Sequence, residues 1–116
     1  MIITDEFTLA YIEAALWSST DENDEPLDSN YCIDDLSVET LTQAQTDCTA
    51  FQEKNAALIG DRESEAGHDF WLTRNGHGAG FWDGDWPKSV GEKLSAESDL
   101  FGEIDLYVGD DGKIYA

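Results

Sequence analysis

The chain has 116 residues, of which 26 are Asp or Glu and six are Lys or Arg, so its formal charge at pH 7 is −20. A chain of this length forms one domain around a single core. Its apolar fraction of 41 % predicts a folded core despite the self-repulsion of the charges. The charge argues against direct binding to nucleic acid or to an anionic membrane, and it indicates a basic partner.

The compartment is predicted from three features of the sequence. The segment Met-Ile-Ile-Thr-Asp-Glu lacks the positive start and the long apolar run of a secretory signal. No stretch approaches the ~20 apolar residues of a membrane span. The two cysteines, Cys32 and Cys48, do not make a disulfide framework. We therefore expect a cytoplasmic protein.

The chain begins with a predicted helix and a loop. Thr4 is a candidate N-cap because two acidic residues follow it, where they favour the positive end of a helix dipole. Apolar residues then recur at helical spacing as far as Trp17, which predicts a helix over residues 5–18. Residues 19–36 have no periodicity and are rich in acids, so they are predicted to form a loop, mobile in its first half.

The second predicted helix covers residues 37–59. Ser37 is its N-cap, an apolar stripe runs along it, and Gly60 suits a left-handed C-cap. Because Cys48 lies on that stripe, it is predicted to be a buried and inert thiol.

The stretch from His68 to Asp83 is predicted to form a β-hairpin. Residues 68–74 alternate, and the dipeptide Asn75-Gly76 favours a type I′ turn because both central positions need a positive φ. In that register His68 faces Asp83. The predicted core face of the hairpin consists of Phe70, Leu72, Ala79 and Phe81.

The last part of the chain is predicted to contain one helix and a second hairpin. Pro87 suits the first turn of a helix that ends at Gly102. Residues 103–108 alternate, a glycine-rich turn follows, and residues 113–116 return as a short strand.

The predicted fold class is α+β. Two amino-terminal helices are followed by a β-hairpin, a helix and another β-hairpin, with the helices packed on one small antiparallel sheet. Residues 1–116 are expected to form a single domain, with an acidic helical half over 1–60 and a hairpin–helix–hairpin half over 67–116.

The charges are unevenly distributed along the chain. Residues 1–53 contain thirteen acids, and the first basic residue is Lys54. Ordinary soluble surfaces intersperse both signs. Two interpretations compete: a solvated acidic face, or a surface that mimics the regular negative charge of DNA and so binds a basic DNA-handling protein. The candidate partner-binding residues are Asp21, Glu22, Asp24, Glu25, Asp28, Asp34, Asp35, Glu39 and Asp47.

The predicted hairpin offers an alternative function, a small-molecule or metal-binding site with possible enzymatic activity. Its polar residues are His68, Asp69, Arg74, His77 and Asp83. In the predicted register the two histidines lie roughly 20 Å apart at ~3.3 Å per residue, which disfavours a shared metal ion. No catalytic residue, metal or cofactor is therefore predicted. The possible secondary site consists of His68, Trp71, Arg74, His77 and Trp82.

Several strings of the sequence resemble small acidic proteins of bacteriophages and related mobile elements. They are AGHDFWLTRNGHGAGFWD over 66–83, GEKL over 91–94, YVGDDGKIY over 107–115 and DCTAFQE over 47–53. The resemblance implies a setting, a phage-encoded accessory protein in the bacterial cytoplasm, and it transfers no catalytic or binding residues. It favours the mimic hypothesis, because small acidic phage proteins often block host restriction, CRISPR or DNA-repair proteins. On this hypothesis the protein is not an enzyme.

Overall fold

The computed structural model describes residues 5–76, 80–81 and 86–116, and this part of the chain is mainly helical. A two-stranded antiparallel sheet lies near the carboxyl end. The elements in chain order are α1 (Glu6–Ser18), short 3-10 turns at Leu27–Ser29 and Ile33–Asp35, α2 (Val38–Ile59), α3 (Glu63–Arg74), α4 (Lys88–Asp99), β1 (Tyr107–Val108) and β2 (Ile114–Tyr115).

The predicted helices over 5–18 and 37–59 are confirmed as α1 and α2. The N-cap of α1 is Asp5, whose carboxylate accepts the backbone N–H of Thr8 at 2.6 Å, whereas the predicted cap Thr4 lies outside the described residues. At α2 the hydroxyl of Ser37 accepts the backbone N–H of Thr40 at 3.2 Å. Both caps satisfy N–H groups that have no partner within the helix.

The predicted hairpin at 68–83 is wrong, because residues 63–74 form helix α3. The dipeptide Asn75-Gly76 ends that helix instead of turning a hairpin. Gly76 has φ +68°, and its N–H donates to the carbonyl of Thr73 at 3.2 Å. An Asn-Gly dipeptide suits either a type I′ turn or a left-handed helix end, because each of these two structures needs a positive φ. The predicted strand partners at 77–79 and 82–83 lie outside the described residues.

Helix α3 was missed because it is buried on nearly all sides. From Ala66 to Arg74 only His68 is exposed. A helix that is covered all round carries no amphipathic repeat, so its aromatic and alternating residues resemble a strand. Gly67 allows α1 to approach α3 closely, because a Cβ at this position would collide with the backbone carbonyl of Phe7.

The predicted fold class, α+β with two hairpins, is therefore wrong, and the described chain is mainly α with one minor hairpin. The hairpin that does form joins β1 and β2, with Tyr107 opposite Tyr115. The helix predicted after Pro87 is confirmed as α4. No helix in the described ranges combines the length and the apolarity needed to cross a bilayer.

The core is built from aromatic rings that α1, α2 and α3 bring together. Phe51 of α2 stacks on Phe70 of α3 with ring centroids 4.2 Å apart. Phe7 of α1 lies 5.8 Å from Phe51, and Phe81 lies 5.8 Å from it on another side. Such ring pairs contribute roughly 0.5–1.5 kcal/mol each beyond the burial of their area. They fix α3 at the centre of the helices.

Candidate functional site

A groove of about 730 Å³ lies between α1, the start of α3 and the loop that follows α1. Its α1 side carries Leu9, Glu13 and Trp17, which are spaced four residues apart and therefore lie on one face of the helix. Leu9 is 38 % exposed and Trp17 is 57 % exposed. The outer face of a surface helix is ordinarily polar, so this apolar stripe is a candidate binding surface. We call it the α1 groove.

The opposite wall of the α1 groove is mixed, because apolar Ile33 lies among its polar residues. Asp28 and Cys32 come from the loop, and His68 comes from the exposed side of α3. The imidazole of His68 lies 6.1 Å from the Trp17 ring, measured between centroids. The charged residues among the groove lining are Glu13 and Asp28, and the lining includes no Lys or Arg. The groove thus combines apolar surface with negative charge.

The acids at 21–25 form a folded turn, which we call the acidic turn. An antiparallel bridge between Thr20 and Pro26 closes it. Inside it, the carboxylate of Asp21 accepts the backbone N–H groups of Asn23 and Glu25, at 2.8 and 3.1 Å. Hydrogen bonds from backbone to backbone and from carboxylate to backbone therefore hold these acids, and Glu22, Asp24 and Glu25 are exposed. The sequence predicts a loop over residues 19–36 that is mobile in its first half, whereas the structure gives this part a hydrogen-bonded turn.

The other predicted partner-binding acids divide into two groups. Asp28, Asp34 and Glu39 are exposed. Asp35 and Asp47 hold local structure instead. The carboxylate of Asp35 accepts the backbone N–H of Cys32 at 2.8 Å, and that of Asp47 accepts hydrogen bonds from Gln43 and Arg74.

Arg74 is buried at the end of α3 and bonds to four acceptors. Nη1 donates to the hydroxyl of Tyr11 and to the carboxylate of Asp47, both at 2.9 Å. Nε donates to the carbonyl of Gly102 at 2.8 Å, and Nη2 donates to that of Phe101 at 3.0 Å. This geometry satisfies a buried guanidinium and joins α1, α2, α3 and the chain after α4. Arg74 is therefore structural.

The residues of the alternative hairpin site do not converge in the structure. His68 faces the α1 groove, whereas Asp69 is buried and accepts the indole N–H of Trp86 at 2.8 Å. Arg74 lies in its own cluster. His77, Trp82 and Asp83 lie outside the described residues. Within the described ranges, no group of three or more His, Cys, Asp or Glu side chains could hold a metal ion.

Trp71, a member of the predicted secondary site, is only 2 % exposed, and its indole N–H donates to the hydroxyl of Ser18 at 2.7 Å. The exposed tryptophan in the described ranges is Trp17. In the sequence, Trp17 is the last residue of the apolar repeat that predicts the first helix. Its spacing from Leu9 and Glu13 was the available signal, because one acid between two apolar residues on one stripe marks a face that is not simply core.

The few cations are mostly used within the fold. Lys54 pairs with Glu97 at 2.7 Å, Arg62 pairs with Glu65, and Arg74 pairs with Asp47. Lys54 is exposed although it is paired, and Lys88, Lys93 and Lys113 are exposed in the second half of the chain. Residues 1–53 therefore present their exposed carboxylates without any Lys or Arg of their own.

Comparison of the chain with protein-family models, with curated proteins and with solved structures found no match.

Proposed function

We propose that the protein is a non-enzymatic inhibitor or modulator that binds the nucleic-acid-binding surface of a basic protein in the cytoplasm of a bacterial host. The observation that carries this proposal is the acidic turn: its exposed acids lie on a backbone that hydrogen bonds hold, and they belong to a segment, residues 1–53, with thirteen acids and no Lys or Arg. A protein that binds DNA offers Lys and Arg to a regular row of negative charges. A folded anionic surface competes for the same side chains.

The folded state of the turn matters for the affinity. A disordered acidic loop loses conformational entropy when it binds, whereas a turn closed by the Thr20–Pro26 bridge has already lost most of it. Long-range attraction between opposite charges also raises the association rate and makes binding sensitive to salt. Binding through this surface is therefore expected to be fast and to weaken as the salt concentration rises.

The proposal is tested by affinity capture from bacterial lysate with the tagged full-length protein at two salt concentrations. At about 50 mM the Debye length exceeds ~10 Å, and at about 500 mM it falls well below ~10 Å. We expect mass spectrometry to identify nucleic-acid-binding proteins that are retained at low salt and released by added duplex DNA. Capture that resists both salt and DNA, or capture of no nucleic-acid-binding protein, contradicts the proposal.

Two matched triple variants separate a local surface from net charge. One replaces Glu22, Asp24 and Asp34 by their amides, and the other replaces Glu92, Asp99 and Asp105, which are exposed acids of the second half. Each changes the formal charge from −20 to −17 by three lost negative charges. We expect the first variant to lose capture at low salt and the second to keep it. Equal losses would mean that a generally solvated acidic surface explains the charge.

A further inference from the structure

The proposed function relies on electrostatic attraction to a basic partner. The α1 groove offers an apolar surface in addition to those charges. Two of the large hydrophobic side chains that the described surface exposes, Leu9 and Trp17, line this groove. Other side chains of α1, such as Phe7 and Ile12, are the ones that α1 buries in the core. Exposed apolar surface of this kind is retained at sites of association.

We propose that the α1 groove receives a cationic, partly apolar peptide segment of the basic partner, with a Lys or Arg side chain lying on the Trp17 indole between Glu13 and Asp28. This inference rests on the proposed function, since it names the surface that holds the same partner. The occupant is argued from charge complementarity. The charged residues that line the groove are both acids, and Asp28 follows the acidic turn by three residues.

The chemistry of the groove fits a cation better than a neutral or acidic segment. The face of an indole attracts a guanidinium or an ammonium within about 6 Å of its centroid. The indole of Trp17 is the most accessible ring of the described tryptophans, and Glu13 lies one helical turn before it. Apolar residues of the same segment pack against Leu9. An acidic segment would meet two carboxylates without a compensating lysine or arginine in the lining.

Three synthetic peptides of equal length serve as probes with the full-length protein. One alternates Arg with Leu, one alternates Glu with Leu, and one contains Arg with Ser in place of Leu. We expect the Arg/Leu peptide to bind most tightly, the Arg/Ser peptide to bind at least about tenfold more weakly and with a stronger dependence on salt, and the Glu/Leu peptide not to bind. Equal binding of the Arg/Leu and Glu/Leu peptides would overturn the cationic occupant.

Occupancy of the groove itself is measured through Cys32. This thiol is exposed and lines the groove, whereas Cys48 is fully buried and burial raises the pKa of its thiol. Iodoacetamide should therefore alkylate Cys32 selectively in the folded protein, because the thiolate is the reactive form. Saturating Arg/Leu peptide is expected to slow this alkylation at least about fivefold at constant pH. Binding without protection of Cys32 would place the peptide elsewhere and overturn the proposal.

The matched variants are Trp17→Ser and Tyr107→Ser. The two aromatic side chains are almost equally exposed, at 57 % and 56 %, but Tyr107 lies on the hairpin and not among the groove residues. We expect Trp17→Ser to weaken the Arg/Leu peptide at least about tenfold and Tyr107→Ser to leave its affinity within about twofold. Equal effects would overturn the groove as the site. Circular dichroism of both variants checks that they remain folded.

The outcomes distinguish this inference from the proposed function. If lysate capture stays sensitive to salt and to DNA while Trp17→Ser changes neither capture nor peptide binding, the acidic surface acts without the groove. If the peptide binds in the groove and lysate capture yields no nucleic-acid-binding protein, the proposed function fails on its own. The alternative occupant of the groove is a second copy of the chain. A concentration-dependent dimer that sedimentation detects and that Trp17→Ser abolishes would overturn the cationic peptide.

Discussion

Arg74 and the carboxylates of the acidic turn carry opposite charges and lie in opposite environments. Arg74 is buried and donates to a carboxylate, a phenol and two backbone carbonyls. The acids at 22, 24 and 25 are exposed, on a turn held by backbone hydrogen bonds. Burial of a charge is tolerated only when hydrogen bonds and an opposite charge compensate its desolvation, whereas exposed charges have no such requirement. The fold therefore uses a rare cation for structure and leaves abundant anions at the surface.

The comparison also separates two acids that look alike in the sequence. Asp47 and Asp24 were both predicted to bind a partner. Asp47 lies beside the buried guanidinium, and Asp24 occupies a turn position with φ +63° at the surface. Aspartate tolerates this left-handed conformation better than most residues, because its short side chain interacts with the nearby backbone. The environment decides the role, although the residue type is the same.

The largest effect is expected from removal of the buried cation. Arg74→Ala leaves the Asp47 carboxylate without its opposite charge and two carbonyls without their donor, so we expect the free energy of unfolding to fall by about 3–5 kcal/mol in urea denaturation. The control Lys93→Ala removes an exposed cation and should change the free energy of unfolding by less than about 0.5 kcal/mol. If Arg74→Ala does not fold, Arg74→Lys, which keeps the charge and loses the fork of donors, should still fold with a lower stability. Similar stabilities for Arg74→Lys, Lys93→Ala and the unaltered chain would refute a structural role for Arg74.

An intermediate effect on stability is expected from alkaline pH, which acts on two buried groups near Arg74. Burial raises the pKa of the Tyr11 phenol and of the Cys48 thiol well above their ordinary values of 10.0 and 9.0. Above those values the unfolded chain loses protons that the folded chain keeps, so the free energy of unfolding falls as the pH rises. The expected slope is about 1.4 kcal/mol per pH unit for each group.

The variant Cys48→Ala isolates the contribution of the thiol to the pH dependence of the free energy of unfolding. It removes one of the two buried groups, so between pH 9 and pH 10, the ordinary pKa values of the two groups, its stability should decline less steeply than that of the unaltered chain. Urea denaturation at a series of pH values measures both slopes. Parallel slopes would show that the Cys48 thiol does not stay protonated in the folded protein.

The smallest effect on stability is expected at three exposed acids, two of them in the acidic turn and the third, Asp34, after it. Replacing Glu22, Asp24 and Asp34 by amides removes exposed charges and keeps the size of each side chain, so the free energy of unfolding should change by less than about 0.5 kcal/mol per site and in the direction of higher stability. Urea denaturation at low salt measures the change. A clear loss of stability would mean that these carboxylates hold the turn, and the contrast with Arg74 would disappear.

Local patterns were sufficient to predict three of the described helices and the last hairpin. α1, α2 and α4 each show an apolar repeat or a distinct end, such as Ser37 before α2 and Pro87 before α4. The glycine-rich turn between β1 and β2 was equally predictable from the sequence, and Gly112 in it has φ +79°. These signals succeed because caps and turns depend on residues that are close in the sequence.

The central helix and the groove were not predictable in the same way. α3 is surrounded by α1, α2 and α4. Because nearly all of its sides are buried, its apolar residues do not recur with the period of a helix. The groove depends on how α1 packs against α3, where Gly67 meets the backbone of Phe7 and His68 comes near Trp17. A contact between residues about fifty positions apart is set by the packing of whole helices, which no local pattern records.

The sequence by itself determined the net charge, the absence of cations before Lys54 and the position of most helix ends, because composition and caps are local properties. The tertiary structure alone decided which charges are buried and which surface stays open. Arg74 and Asp47 are 27 positions apart and become one ion pair, while Trp17 remains exposed beside two acids. Desolvation explains the division, since a charge enters the core only where packing supplies its partners.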